Sequence, residues 1–243
     1  MIRSARQLSA AFDKSAKNYD LAVSLNPGYH NQLRFAATEV FRRLGTNSPA
    51  RVIDLGCGSG ASTRCLVNAA PSGSTILGID ASAGMLEQAQ QKPWPDGVRF
   101  DQDVAGQMDL SKRDPGTWDA IHACYLFRNV PANDRSRAVE EAFQLLRPGG
   151  WLVVQEYSVA GSWYPKLVWN TVSWTTIIPL GIILDRDPRL HHYLWRSVLD
   201  FEPIEQFADR LVKAGFVDIE THAASGWQRG ILHTVAARTP EEQ

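Results

Sequence analysis

The sequence predicts a doubly wound α/β fold: a seven-stranded, mostly parallel sheet with helices on both faces, a terminal antiparallel strand and a helical lid insertion. Three observations carry this. Short apolar runs alternate with amphipathic stretches from residue 30 to residue 158, the pattern of strand–helix–strand crossovers in a parallel sheet. The first run enters a glycine loop, "VIDLGCGSGAS", placed where such sheets bind ligands, at the carboxyl ends of their strands. Two further runs, "FVDIETHAA" and "GILHTVAAR", follow one another without a helix between them and read as an antiparallel pair.

The elements follow in order. Leu33, Ala37, Val40, Phe41 and Leu44 fall at helical spacing over 30–44. "RVIDLG" is the first strand, and a helix over 61–70 stops at Pro71 and Gly73. "STILGID" is the second strand. "SAGMLEQAQQ" is a helix with Ser82 as its cap. "VRFDQD" and "WDAIHACYL" are the third and fourth strands. "NDRSRAVEEAFQLL" is an amphipathic helix halted by "RPGG", and "WLVVQEYS" is the fifth strand. A lid occupies roughly 160–200. Pro203 stands where a helix takes its first residue and Gly215 where it stops. One domain over 1–243 is expected, with N-terminal helices in 1–45.

Composition narrows the function. The formal net charge of the 243 residues is −1, so no basic field suggests nucleic acid. Cys57, Cys65 and Cys124 lack metal spacing and cannot all pair, which suits a reducing cytoplasm. The first twenty residues lack the apolar core of a signal peptide. Residues 162–184 are rich in Trp, Ile, Leu and Val, but Pro165, Lys166, Asn170 and Pro179 interrupt them. A span wants about 20 uninterrupted apolar residues, so a lid or an interfacial helix pair is the better reading. Four of the eight tryptophans (Trp163, Trp169, Trp174 and Trp195) fall in this lid. They form core, line an apolar tunnel, or rest on a membrane surface.

The glycine loop fits two cofactors. Gly56, Gly58 and Ala61 match the Rossmann-like G-x-G-x-x-G/A pattern, and Gly60 adds a further close approach. Asp54, at the tip of the first strand, separates the candidates. A carboxylate there would repel a dinucleotide's pyrophosphate but suits S-adenosylmethionine, which carries an ammonium, a sulfonium and no phosphate. Asp80 ends the second strand, twenty residues beyond Gly60, where an acid accepts hydrogen bonds from ribose hydroxyls. Asp103 ends the third strand, within reach of an adenine amino group. Met85, one turn into a helix, is core or padding for the adenine face.

As a set, "VIDLGCGSG", "GIDASAGML", "DQDV" and "LLRPGGWLVVQEYS" resemble the motif series of class I S-adenosylmethionine-dependent methyltransferases over most of the chain. A narrower resemblance lies in "YDLAVS" (19–24), "GYHNQLR" (28–34), "YLFRNV" (125–130), "YLWRSV" (193–198) and "ILH" (231–233). These are similar to motifs of the ubiquinone and menaquinone biosynthesis C-methyltransferases. That resemblance implies methylation of a ring carbon on a prenylated, or otherwise lipophilic, quinol. Departures at Val23, Leu33, "YLF" and "GQMDLSKRDPGTW" fall on the acceptor side. The donor set expected with it is Tyr19, Asp54, Gly56, Gly58, Gly60, Asp80, Ala81, Met85, Asp103, Val104 and Cys124.

Methylating a ring carbon requires that carbon to be nucleophilic. Ionising the adjacent hydroxyl achieves this, and a fixed cation stabilises the oxyanion. Arg128 is expected in that role, with His233 and Tyr125 as further catalytic candidates and Tyr19 also within the acceptor set. His122 lies inside a strand and reads as a satisfied core histidine. His191 and His192 have no third ligand at metal spacing, and no metal is expected. The residues leave open O- or N-methylation of a small aromatic, and donor binding without transfer.

Overall fold

The computed structural model describes Leu8, Ala10, Phe12, Asp13 and residues 28–185 and 188–241. The expected sheet is present. Strand β1 (Arg51–Leu55) is followed by β2 (Thr75–Asp80), β3 (Val98–Gln102), β4 (Trp118–Cys124), β5 (Leu146–Tyr157), β6 (Val217–Ala223) and β7 (Leu232–Arg238), in the spatial order β3-β2-β1-β4-β5-β7-β6. Pairing is parallel from β3 through β5. It is antiparallel on both sides of β7. The order reverses direction between β1 and β4, so the carboxyl ends of these two strands flank the crevice that a ligand takes.

Helices cover both faces. On one, α1 (Tyr29–Leu44) and α2 (Ala61–Ala69) pack with the lid. Helix α1 buries Tyr29, Leu33, Ala36, Ala37 and Val40, a single stripe at helical spacing. Gly45 ends it in the left-handed region, its N–H donating to the Phe41 carbonyl. On the other face, α4 (Arg135–Leu145) and α8 (Ile204–Lys213) pack with Phe127, Phe207 and Phe216 over Ile53, Ile121 and Leu152. Between β2 and β3, α3 (Ala83–Gln90) starts as expected, with the Ser82 hydroxyl accepting from the Met85 N–H at 3.1 Å.

Three details differ from the sequence reading. "RPGG" ends the helix but belongs to β5, which starts at Leu146. Trp118 pairs with Leu146 and Ala120 with Trp151, so β5 bulges there, with Gly149 at φ 71°. Pro203 is the cap of α8 rather than its first residue. The lid's helical run is not interrupted: α5 (Trp163–Val172), a π-helical turn (Ser173–Ile177) and α6 (Ile178–Asp185) follow one another directly, and α7 (Pro188–Asp200) comes next. Pro165 and Pro179, read as interruptions, do not break that run: Pro165 sits in the first turn of α5, where a missing N–H costs no hydrogen bond, and Pro179 closely follows the π-helical turn.

Candidate active site

The loop after β1 turns back under the end of β2. The Gly56 and Cys57 N–H groups both donate to the Ile79 carbonyl, at 2.7 and 3.1 Å. The Gly58 N–H donates to Asp80 Oδ2 at 2.8 Å, and Asp80 Oδ1 accepts from the Ser82 N–H at 2.8 Å. Gly60 has φ 89°, and a Cβ there would lie 2.8 Å from the Trp94 ring. Gly56 has φ 76°, with Leu126 3.0 Å from the same imagined atom. Both positions therefore require glycine.

A cleft of about 1050 Å³ opens beside this loop. Of the residues expected to hold the donor, Gly56, Gly58, Asp80, Ala81, Met85, Asp103, Val104 and Cys124 line it, and so does Tyr125. Asp54 and Gly60 do not. Tyr19 and the "YDLAVS" stretch lie outside the described residues.

Asp54 corrects the first expectation. Its carboxylate is fully buried beneath α2. Oδ2 accepts from the Ser62 and Thr63 hydroxyls at 2.7 and 2.6 Å, and Oδ1 lies 2.9 Å from His122 Nδ1. With Nδ1–H donating to Asp54, Nε2 accepts from the Cys124 thiol, 3.1 Å away. Burial, with Asp54 and Glu156 nearby, pushes that thiol well above its usual pKa, so it stays a donor. Asp54 thus ties β1, α2 and β4 together behind the cleft. His122 is the satisfied core histidine expected.

Two acids instead face the cleft. Asp80 is pushed up by burial, opposed by the Ser82 and Gly58 amides. Asp103 accepts the Val104 N–H at 2.9 Å and pairs with Arg113 Nη2 at 2.9 Å. Among the described residues, no Lys, Arg or His side chain lines the cleft. That lining suits a cationic, phosphate-free cofactor and opposes a pyrophosphate, so the inference first drawn from Asp54 is carried by Asp80 and Asp103. The Met85 side chain, buried against the same wall, supplies apolar surface for a base.

The sequence reading missed two supports. Arg113, buried within the atypical "GQMDLSKRDPGTW" stretch, bridges Asp101 and Asp103. Glu141 of α4 accepts the Gly106 and Met108 N–H groups at 2.6 and 3.0 Å, fixing the loop after β3. A basic residue near paired acids was visible in the sequence. Nothing there tied Glu141 to a loop more than thirty residues earlier.

The expected catalytic residues are placed differently from one another. Arg128 is not in the lining. Its guanidinium pairs with the fully buried Glu156, whose other oxygen accepts the Arg128 N–H at 3.2 Å. It lies 5.5 and 5.6 Å from the ring centres of Tyr125 and Tyr157. The expected cation facing an oxyanion is therefore corrected to a buried, neutralised pair that backs the aromatic wall. His233 stands on β7 opposite Glu156, half-buried and outside the lining, and burial lowers its pKa. Tyr125 lines the cleft at φ 60°, stacked between Tyr29 and Tyr157 with ring centres 5.4 and 5.0 Å apart. Its hydroxyl donates to Gln155 Oε1 at 3.0 Å, and burial pushes its pKa well up. Tyr125 is a ring surface rather than a base.

Next to it, Asn129 also lines the cleft. Nδ2 donates to the Tyr125 carbonyl at 2.9 Å, while Oδ1 is buried with no hydrogen-bond partner. An orphaned buried acceptor in a cleft wall is set for a donor that arrives with a ligand. The aromatic wall continues past Tyr157 to Trp169 of the lid, 5.4 Å away. Trp169 and Trp195 donate across the lid to the Trp195 carbonyl and Asn170 Oδ1, at 3.2 and 2.9 Å, which joins α5 to α7.

The seven-stranded sheet, the glycine loop and the acid-lined cleft define an S-adenosylmethionine-dependent methyltransferase. The same fold occurs in the phosphoethanolamine N-methyltransferase 2 of Haemonchus contortus, solved with S-adenosylhomocysteine, with a TM-score of 0.67 at 18% identity. That match covers 98% of this chain and 61% of the other. The chain belongs to the ubiE/COQ5 methyltransferase family, whose model matches residues 2–235. It is 30% identical to a demethylmenaquinone methyltransferase of Lactiplantibacillus plantarum, over 86% of each chain. It is 27% identical to a ubiquinone/menaquinone biosynthesis C-methyltransferase of Nitrobacter hamburgensis, over 90% of this chain and 87% of the other.

Proposed function

We propose that the protein transfers the methyl group of S-adenosylmethionine to a ring carbon of a quinol-like, lipophilic aromatic acceptor. The observation that carries this is the aromatic wall: Tyr29, Tyr125, Tyr157 and Trp169 stack in series from the cleft to the lid. Of this stack, Tyr29 and Tyr125 line the cleft and give it an aromatic, apolar border that suits a flat lipophilic ring. The names of the relatives agree, since the proteins similar to this chain are quinone-pathway methyltransferases.

In this reading Asp80 takes the donor's ribose hydroxyls, Asp103 its base, and Met85 the apolar face of that base. The bound donor supplies an electrophilic methyl group on a sulfonium. Asn129 Oδ1 accepts from the acceptor's hydroxyl and sets the ring's rotation in the cleft. Tyr29 and Tyr125 border the acceptor end, with the Arg128–Glu156 pair holding Tyr125 and Tyr157 from behind. Loss of the hydroxyl proton to solvent would spread charge to the ortho carbon; that carbon would bond to the methyl carbon as its bond to sulfur breaks, leaving neutral S-adenosylhomocysteine, and the ring C–H proton would then pass to solvent. The chain's contribution is orientation and exclusion of water.

The test uses methyl-13C S-adenosylmethionine and a short-chain demethylated naphthoquinol. Carbon NMR is expected to place the label on the ring carbon beside a hydroxyl. Label on oxygen or nitrogen, or cofactor binding without product, refutes the reading.

A further inference from the structure

The lid carries a second apolar face, pointing away from the site. An ordinary surface helix hides its apolar stripe and shows polar residues outward. Helix α5 does not. Its inner side buries Pro165 and Trp169, yet its outer side leaves Trp163 75% exposed, Tyr164 58% and Leu167 54%. The face runs on through Trp174, 51% exposed, and Ile183, 72% exposed. Among the described residues, six of the ten large apolar side chains left exposed lie between positions 163 and 183, so this is one concentrated patch rather than scatter.

We propose that the outer face of α5, the π-helical turn and α6 is a lipid-docking surface that seats the protein on a membrane bearing anionic headgroups. Three features choose lipid over a second copy or a protein partner. Residues 162–184 contain no acid and no charged residue other than Lys166. Within that run the face carries no carboxylate to oppose an anionic surface and keeps one cation that favours it, the first acid being Asp185 at the end of α6. Two of its exposed hydroxyls are internally satisfied: Thr171 donates to the Leu167 carbonyl at 3.0 Å and Thr175 to the Thr171 carbonyl at 2.7 Å. These groups enter an apolar phase without losing a partner. The amphipathic rings Trp163, Tyr164 and Trp174 are the types that settle at headgroup depth. Among the described residues no helix is long and apolar enough to cross a membrane, so the contact is in-plane. On the underside, Trp169 joins the ring stack that leads to Tyr125 in the cleft wall, so the docking face is packed against the acceptor end. The docking claim stands independently of the acceptor reading.

The test is sedimentation of the full chain with sucrose-loaded vesicles of phosphatidylglycerol and phosphatidylcholine, and with phosphatidylcholine alone. Wild type is expected to bind the mixed vesicles, and brominated acyl chains to quench its tryptophan emission. The triple variant Trp163→Ser, Leu167→Ser, Ile183→Ser alters only exposed side chains, and circular dichroism checks its fold. It should lose at least tenfold in partitioning. Lys166→Glu should weaken binding to the anionic vesicles about fivefold or more and leave binding to neutral vesicles unchanged. Absence of wild-type binding, or equal partitioning of the triple variant, overturns the proposal. So does a dimer in sedimentation velocity that the triple variant abolishes while neither form binds lipid.

Discussion

Replacing Asp80 by Asn tests the cofactor assignment directly. In the native chain both oxygens already accept one backbone N–H, from Gly58 and Ser82 at 2.8 Å each. Each retains lone-pair capacity on the cleft side, where a ribose presents two hydroxyls. An amide in the same place keeps one acceptor and turns a donor toward an N–H. It loses one loop contact and at least one charge-assisted bond to the ligand, each contributing about 1.5–3 kcal/mol. A loss of about 3 kcal/mol corresponds to roughly a hundredfold weaker S-adenosylmethionine binding. Titration calorimetry with S-adenosylmethionine and S-adenosylhomocysteine measures it, and both ligands should lose affinity equally, since the ribose is common to them. The pH dependence adds a second readout. Burial raises the Asp80 pKa above its ordinary value. Binding requires the ionised form, so affinity is full above that raised pKa and falls as pH drops through it. The native protein should lose affinity at a higher pH than an ordinary aspartate would dictate, and Asp80→Asn should lack that acidic limb. Native-like affinity in Asp80→Asn, with the acidic limb unchanged, would refute the reasoning.

Other perturbations separate the supporting roles. Arg113→Leu leaves Asp103 and Asp101 without their shared cation; about tenfold weaker donor binding and about 1–2 kcal/mol lower stability are expected by calorimetry and urea unfolding, since Asp103 is partly buried and Asp101 exposed. Arg128→Met strands Glu156 in the interior, and should cost about 3–5 kcal/mol in urea unfolding, while Arg128→Met with Glu156→Leu recovers most of it. A single variant as stable as wild type would dissolve the pair's structural role. Tyr125→Phe removes the hydroxyl's bonds to Gln155 and Tyr157; a loss of about 1–2 kcal/mol with methyl transfer within a few fold of native is expected, and a rate collapse in single-turnover assays would return Tyr125 to the acid–base role. Asn129→Leu removes the unpartnered acceptor; KM for the quinol should rise about tenfold with donor affinity unchanged, and the reverse pattern would move Asn129 to the donor site.

Strand and helix pattern was legible because it is local. Ser82 capping α3, Gly215 in the left-handed region, and the mostly apolar runs of β1, β4 and β5 state their conformations within a few residues. The glycine loop and Asp80 were legible for the same reason: a strand end, a tight turn and a helix start place them, and the parallel sheet puts that place at the ligand crevice. The ligand crevice followed from this much; the choice of cofactor did not, since it was drawn from Asp54.

What tertiary structure alone decided was which charges remain available to a ligand. Asp54 and Asp80 both close a strand and look equivalent in the sequence, yet Asp54 meets Ser62, Thr63 and His122 in the interior while Asp80 faces the cleft. Arg128 looked like a cation at the reaction centre until Glu156, on the neighbouring strand, neutralised it. Asp103 depends on Arg113, and the loop beyond it on Glu141. The physical reason is common to all of these. A side chain's identity states the charge it can carry, but the partner that satisfies or exposes that charge arrives from elsewhere in the chain. In a low-dielectric interior an unpaired charge is so costly that packing, not sequence position, settles where it points.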